Sequence, residues 1–192
     1  ADDVLVASTG VIGPSINLEP IERGIPALAA ALSAEGHTDA AEAIMTTDTV
    51  KKEFALRFKL GGKTCTIGGM AKGSGMIAPN MATMLCFVTT DANGAAGNQP
   101  IKEKNADFEV FAAALRALCE KICRTLASDG EGATKLLECR VSGGASKRDA
   151  KRIAGSVINS SLLKAAMFGA DANWGRVLCA IGYSGANPPV SQ

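Results

Sequence analysis

The chain has 192 residues, 47% of them hydrophobic and 20% charged, with a formal net charge of +1. That balance describes a globular protein and argues against a disordered or fibrous one, and the lack of a basic block argues against a nucleic-acid partner. No apolar run approaches the roughly 18 residues of a membrane span, and the acidic start Ala1-Asp2-Asp3 is not a secretory signal. The expected partners therefore include neither nucleic acid nor membrane, and the expected compartment is the cytoplasm. Six cysteines (Cys65, Cys86, Cys119, Cys123, Cys139, Cys179) form no C-x-x-C pair, which reads as buried, reduced thiols. Cys119 and Cys123 share a helix face but have no second ligand pair nearby, so no metal is expected.

Val4 to Ala7 reads as a buried strand ending in Ser8-Thr9-Gly10, a break of the kind where α/β folds place functional loops. Ile21 to Ala34 has apolar residues at helical spacing. Thr38 to Ile44 reads as a short helix capped by Thr38 or Asp39, after a turn that leaves the single histidine, His37, in solvent. Phe54 to Leu60 alternates, Gly61-Gly62 turns, and Lys63 to Ile67 returns, which is a hairpin. A glycine-rich stretch follows, then a strand from Thr83 or Met84. The longest helical pattern is Asn105 to Ala127, apolar at 108, 111, 115, 118, 119, 122 and 126 and ended by Ser128-Asp129-Gly130. Leu136 to Val141 reads as a strand and Ser146 to Val157 as a helix capped by Ser146. A polar cluster containing Asp171, Asn173 and Arg176 precedes a last apolar segment and reads as a buried Asp–Arg pair or a capping network. Mixed strands and helices without a linker imply one α/β domain over 1–192.

Two local motifs are decoys. Gly62-Lys63-Thr64 resembles the end of a P-loop, but position 57, where the first glycine belongs, is Arg57, and the lysine enters a hairpin, not a helix. Gly73-Ser-Gly75-Met-Ile-Ala78 fits a loose dinucleotide pattern, but Pro79-Asn80 interrupts it before a helix can start.

The stretch Lys72-Gly-Ser-Gly-Met-Ile-Ala-Pro-Asn-Met-Ala82-Thr83 carries more chemistry. With one histidine in the chain, nucleophilic catalysis falls to Thr, Ser, Lys, acidic groups and backbone amides. A threonine hydroxyl needs a base beside it, and its own α-amine serves if the chain is cut before it. Cleavage at Ala82-Thr83 by an N-to-O acyl shift would free an amine of unperturbed pKa about 7.7–8.0, suited to general-base work. Thr9 and Gly10 offer a hydroxyl and an N–H to a developing oxyanion, and Lys72 offers a cation to a carboxylate. On these residues alone, Thr83 as an ordinary strand-start residue is the favoured reading.

Four motifs shift that balance: Ser8-Thr9-Gly10-Val11-Ile12-Gly13, the Lys72–Thr83 run, Asp129-Gly130-Glu131-Gly132-Ala133-Thr134-Lys135, and Phe168-GADANWG-Arg176. In this order they closely resemble the ornithine acetyltransferase (glutamate N-acetyltransferase) family. The resemblance implies an α/β fold, the α+β sandwich of the self-cleaving ornithine acetyltransferase and DmpA-like type, with mixed sheets packed against helices. It implies a cut at Ala82-Thr83, so that 1–82 is the end of an α chain and 83–192 part of a β chain, two of each forming a heterotetramer. It also implies a ping-pong transfer of acetyl from N-acetylornithine to glutamate through an ester on Thr83. No cofactor is expected, with acetyl-CoA a donor in some members. Carried onto this chain, Thr9 and Gly10 form the oxyanion hole, and Thr46, Lys72, Thr83 and Glu131 contact substrate. Lys72 suits the α-carboxylate of either amino acid, and Glu131 suits the ornithine δ-ammonium. The resemblance further implies segments before Ala1, between Ala92 and Asn93, and after Gln192 that this sequence does not contain. An N-terminal-threonine amidase or aminopeptidase of related fold, or an inactive fragment, are the alternatives.

Overall fold

The computed structural model describes residue 7 and residues 13–75, 84–92 and 99–186. The chain divides into two compact units, Ala1–Glu131 and Gly132–Gln192. Helices and an antiparallel sheet together make the fold mixed α and β.

In the first unit, helix α1 (Glu19–Ala30) has Pro20 in its first turn and buries none of its residues. It stops short of the predicted Ala34, where the Ala31 N–H bonds to the carbonyls of both Ala27 and Leu28. Helix α2 (His37–Ala43) follows with Gly36 at its N-cap and no side-chain cap. The capping role expected of Thr38 or Asp39 is not filled. The Thr38 hydroxyl is engaged with the next strand instead, donating to Glu53 and accepting from the Lys51 ammonium.

Strands β1 (Lys52–Leu60) and β2 (Lys63–Lys72) form the expected hairpin, paired from Leu60↔Lys63 to Lys52↔Ala71. Gly61 and Gly62 have φ of 54° and 78°. Two left-handed residues in succession match the twist of a tight hairpin, and glycine adopts that conformation without a Cβ penalty. Strand β3 (Leu85–Thr90) pairs antiparallel with the far half of β2, giving the order β1-β2-β3.

Because side chains alternate across a strand, one face of the sheet carries Phe54, Leu56, Phe58, Ile67 and Ala71. That face packs on helix α3 (Ala106–Ser128), whose Leu118 and Ile122 are buried against Ile67 and Ala71. Gly69 lies where the helix comes closest. A Cβ there would meet Ile122 Cδ1 at 3.1 Å and Leu118 Cδ2 at 3.2 Å, so the absence of a side chain lets α3 settle. Asn105 caps the helix, its side-chain oxygen accepting from the Phe108 N–H at 3.0 Å.

The second unit is helical: α4 (Lys147–Asn159), α5 (Ser161–Phe168) and α6 (Trp174–Gly182), joined around Val157, Leu163 and Ala180. Ser146 caps α4 as predicted. The strand expected at Leu136–Val141 is not formed. The segment has the right alternation, but among the described residues no strand lies beside it to complete a ladder, and Cys139 packs on the helical core instead. The thiols differ from expectation in burial: none of the six forms a disulfide, but only Cys65 is buried. Cys119 and Cys123 sit on the outer turns of α3, where neighbours cover them only in part. Among the described residues, no helix is long and apolar enough to cross a membrane.

The sheet–helix interface in the first unit sets a stability prediction. Leu118→Ala removes a side chain that is fully buried between β2 and α3. The loss should be about 2–5 kcal/mol, read as a fall in the urea midpoint with unchanged slope.

Candidate active site

The site grows from the turn between α2 and β1, Met45 to Lys51. The Asp48 side chain is wholly buried there, and its carboxylate takes three donors: the Lys52 ammonium at 2.6 Å, the Gly73 N–H at 2.7 Å and the Thr46 N–H at 3.1 Å. Lys52, itself with no exposed side-chain surface, also reaches Asp129 at 2.5 Å and the Val50 carbonyl at 3.2 Å. Asp129 stands at the C-terminal end of α3 and additionally accepts the Thr49 hydroxyl and the Thr49 N–H. One ammonium thus sits between two carboxylates, and each polar atom of the trio is engaged by a specific partner.

The electrostatics follow from this packing. Burial alone would raise the Asp48 carboxyl, but the Lys52 hydrogen bond, the Gly73 and Thr46 N–H groups and the Lys52 charge outweigh it and hold its pKa at about 2. Asp129 is likewise held below the usual carboxylate range against the opposing effect of burial, by Lys52 and by both Thr49 donors. Burial favours neutral Lys52, yet hydrogen bonds to Asp129 and Asp48, with their charges, push its ammonium above the ordinary lysine value.

The cluster holds the end of β2. Immediately after Lys72, Gly73 adopts φ 145° and Gly75 φ 94°. Between them Ser74 is buried, its hydroxyl bonded to that of Thr47 and its carbonyl accepting the Glu131 N–H at 2.7 Å. A Cβ on Gly75 would lie 3.1 Å from the Gly130 Cα, so backbone meets backbone there. Lys72 is only 5% exposed, and its ammonium donates to the Thr46 hydroxyl at 3.4 Å. No carboxylate among the described residues pairs with it.

Of the residues singled out from sequence, Thr46, Lys72 and Glu131 are brought to one place. Lys72 touches Thr46 directly, and the Glu131 backbone is bonded two residues beyond Lys72, with its side chain exposed. Thr9, Gly10, Ala82 and Thr83 lie outside the described residues. Asp171, Asn173 and Arg176 belong to the helical unit and form the capping alternative: Asn173 accepts the Arg176 N–H at 3.1 Å and donates to Asp171 at 3.0 Å. Arg176 goes to the Leu162 carbonyl at 2.6 Å, not to Asp171. His37 is solvent-exposed as expected, but it is not in a loop. It opens α2 and pairs with Glu53 of β1. Among the described residues, no three His, Cys, Asp or Glu side chains gather as a metal site.

Sequence reasoning assigned no role to Asp48, Lys52, Thr47, Thr49 or Ser74, and used Asp129 only as a helix stop and as the first residue of a family motif. The available signal was the run Thr46-Thr47-Asp48-Thr49, four hydrogen-bonding residues with no helix or strand pattern, immediately before β1.

Fold and site together define an α/β chain with a buried cation, without a carboxylate partner among the described residues, at the entry to a glycine-rich turn. The ArgJ family model matches residues 1–97 and 92–192, and the chain belongs to the ArgJ family. The arginine biosynthesis bifunctional protein ArgJ of Symbiobacterium thermophilum is 50% identical, over 94% of this chain and 54% of that protein. Its counterpart in Caldanaerobacter subterraneus is 44% identical over the whole chain and 57% of its own length. A crystal structure of the Bacillus halodurans protein of the same name is 46% identical, with a TM-score of 0.46 over 49% of this chain and 44% of that one. The chain spans about half the length of the curated relatives it matches. The Caldanaerobacter alignment runs over 229 positions for 192 residues, and the two family-model matches meet at 92–97. The relatives therefore carry residues that this chain lacks, and the junction expected at Ala92-Asn93 falls where the two matches meet.

The depressed Asp48 pKa has a defined sign. Its contribution to stability is complete above the unfolded carboxylate value of 3.8 and is lost as pH falls towards about 2. The difference in urea midpoint between the wild type and Asp48→Asn should therefore be constant from pH 7 to 5 and shrink between pH 4 and about 2. A constant difference down to pH 2 would show that Asp48 does not titrate in that window.

Proposed function

We propose that this chain is part of an acetyltransferase that moves acetyl from N2-acetylornithine to glutamate through an ester on Thr83, after cutting itself between Ala82 and Thr83. The observation that carries the reading is Lys72: a buried ammonium with a hydroxyl at 3.4 Å and no carboxylate partner among the described residues. A buried charge without a counter-ion is costly, and an arriving carboxylate removes that cost. Donor and acceptor both carry an α-carboxylate, so one cation serves both halves of a ping-pong reaction. Membership of the ArgJ family and the names of its relatives support the same reading.

In the first half-reaction the Thr83 α-amine accepts the proton of the Thr83 hydroxyl, and its oxygen attacks the acetyl carbonyl. Thr9 and Gly10 donate to the resulting oxyanion. Collapse breaks the C–N bond, the proton passes to the departing amine, and ornithine leaves an acetyl ester on Thr83. Glutamate then binds through the same Lys72 and Thr46, its amine attacks the ester carbonyl, and the Thr83 hydroxyl is restored. Glu131, which is exposed, receives the ornithine δ-ammonium. No cofactor takes part in this transfer. The cleaved α and β chains assemble as a heterotetramer in the cytoplasm.

Intact mass of the full-length protein should give two polypeptides, the second beginning at Thr83, and Thr83→Ala should leave one uncut, inactive chain. Hydrolysis of acetylornithine without transfer to glutamate would instead favour an amidase. Lys72→Met should separate affinity from stability. Removing a charge-assisted contact raises KM for both substrates by about 10–100-fold, while the free protein, relieved of an unpaired buried charge, is no less stable.

A further inference from the structure

We propose that Asp48 is the positioning residue of the carboxylate subsite, setting Thr46 against Lys72 through its two oxygens. The proposal rests on the reading of Lys72 as the carboxylate-binding cation. The two groups offered to the substrate come from segments 26 residues apart in the chain, the α2–β1 turn and the end of β2, and their mutual contact is a long 3.4 Å. Such a contact does not hold two segments in register by itself. Asp48 does, because Oδ2 takes the N–H of Thr46 and Oδ1 takes the N–H of Gly73, the residue joined to Lys72. One rigid carboxylate thus spans the pair, and both of its bonds are to backbone, so they fix where the side chains start rather than where they end.

The carboxylate is itself held. Lys52 grips Oδ1 from the other side and is anchored in turn to Asp129, so Asp48 has no freedom to follow a displaced partner. The neighbouring residues repeat the arrangement: Thr47 binds the Ser74 hydroxyl as Asp48 binds the Gly73 N–H, and Ser74 binds Glu131. Preorganised donors of this kind lower the reorganisation needed when an anion arrives. Asp48 touches neither substrate nor reacting atoms and acts through Lys72 and Thr46.

The test is a double-mutant cycle in the full-length enzyme, using Asp48→Asn, Lys72→Met and both together. Asparagine keeps the size of the side chain but replaces one acceptor oxygen with an amide and drops the charge. Asp48→Asn should raise KM for N-acetylornithine and for glutamate by a common factor of about tenfold, within the range of deleting Lys72, and change kcat by less. In the Lys72→Met background that factor should shrink, because one of the two groups through which Asp48 acts is gone and only Thr46 remains. A lower kcat with both KM values unchanged, or an Asp48→Asn effect that multiplies in full with that of Lys72→Met, would overturn the proposal and leave Asp48 a stability residue. Lys72→Met without any change in KM would overturn the carboxylate reading, and this proposal with it. Should Asp48→Asn not fold, Asp48→Glu keeps the charge for Lys52 while shifting the acceptors by one methylene. It should raise both KM values together, and unchanged values would refute the assignment.

Discussion

One lysine between two aspartates holds the site together. Lys52, Asp48 and Asp129 are buried, come from a turn, the first residue of β1 and the end of α3, and account for each other's charge except for one surplus negative. A buried pair of this kind contributes little net stability over a well-packed apolar equivalent, but breaking it by removing one partner costs about 3–5 kcal/mol. What the trio contributes is location. The Gly73 N–H, the Thr49 hydroxyl and the Thr46 N–H all point to it, so two segments without regular structure, the α2–β1 turn and the stretch after β2, share one reference point.

The two buried lysines of the first unit show how partners, and not burial, separate structure from chemistry. Lys52 and Lys72 stand together at the open end of one hairpin, the first residue of β1 and the last of β2, 0% and 5% exposed. Lys52 has two carboxylates and a carbonyl, while Lys72 has a distant hydroxyl. The first is saturated and can only hold. Among the described residues the second has only that one acceptor, in a place where water is scarce.

What could be read in the sequence was what depends on near neighbours along the chain. The Gly61-Gly62 hairpin, the Asn105-capped helix and the Ser146 cap are set by residues within a few positions of each other, and they stand where expected. Leu136–Val141 failed because alternation specifies a strand only where a second strand is present to pair with it. Thr38 failed as a cap because Glu53 and Lys51, more than a dozen residues on, claim its hydroxyl. At the site, Thr46, Lys72 and Glu131 were reached through family resemblance, and the structure gathers them. Asp48, Lys52 and Asp129 were not reached because each alone looks like an ordinary solvated charge. The contact that makes them a unit closes a loop of 77 residues, which no local pattern encodes.

The bonds that cross position 83 give the sheet one more property. Everything before that point on β1 and β2 is joined to everything after it on β3 and α3 by non-covalent means: the β2–β3 ladder from Lys72↔Leu85 to Ile67↔Thr90, the α3 core contacts, Lys52 with Asp129, and Ser74 with Glu131. Severing the peptide link at 82–83 would break none of these. A chain nicked there would keep its two pieces hydrogen-bonded as neighbouring strands of one sheet, β3 on the edge beside β2, and separating them would break both that ladder and the α3 core.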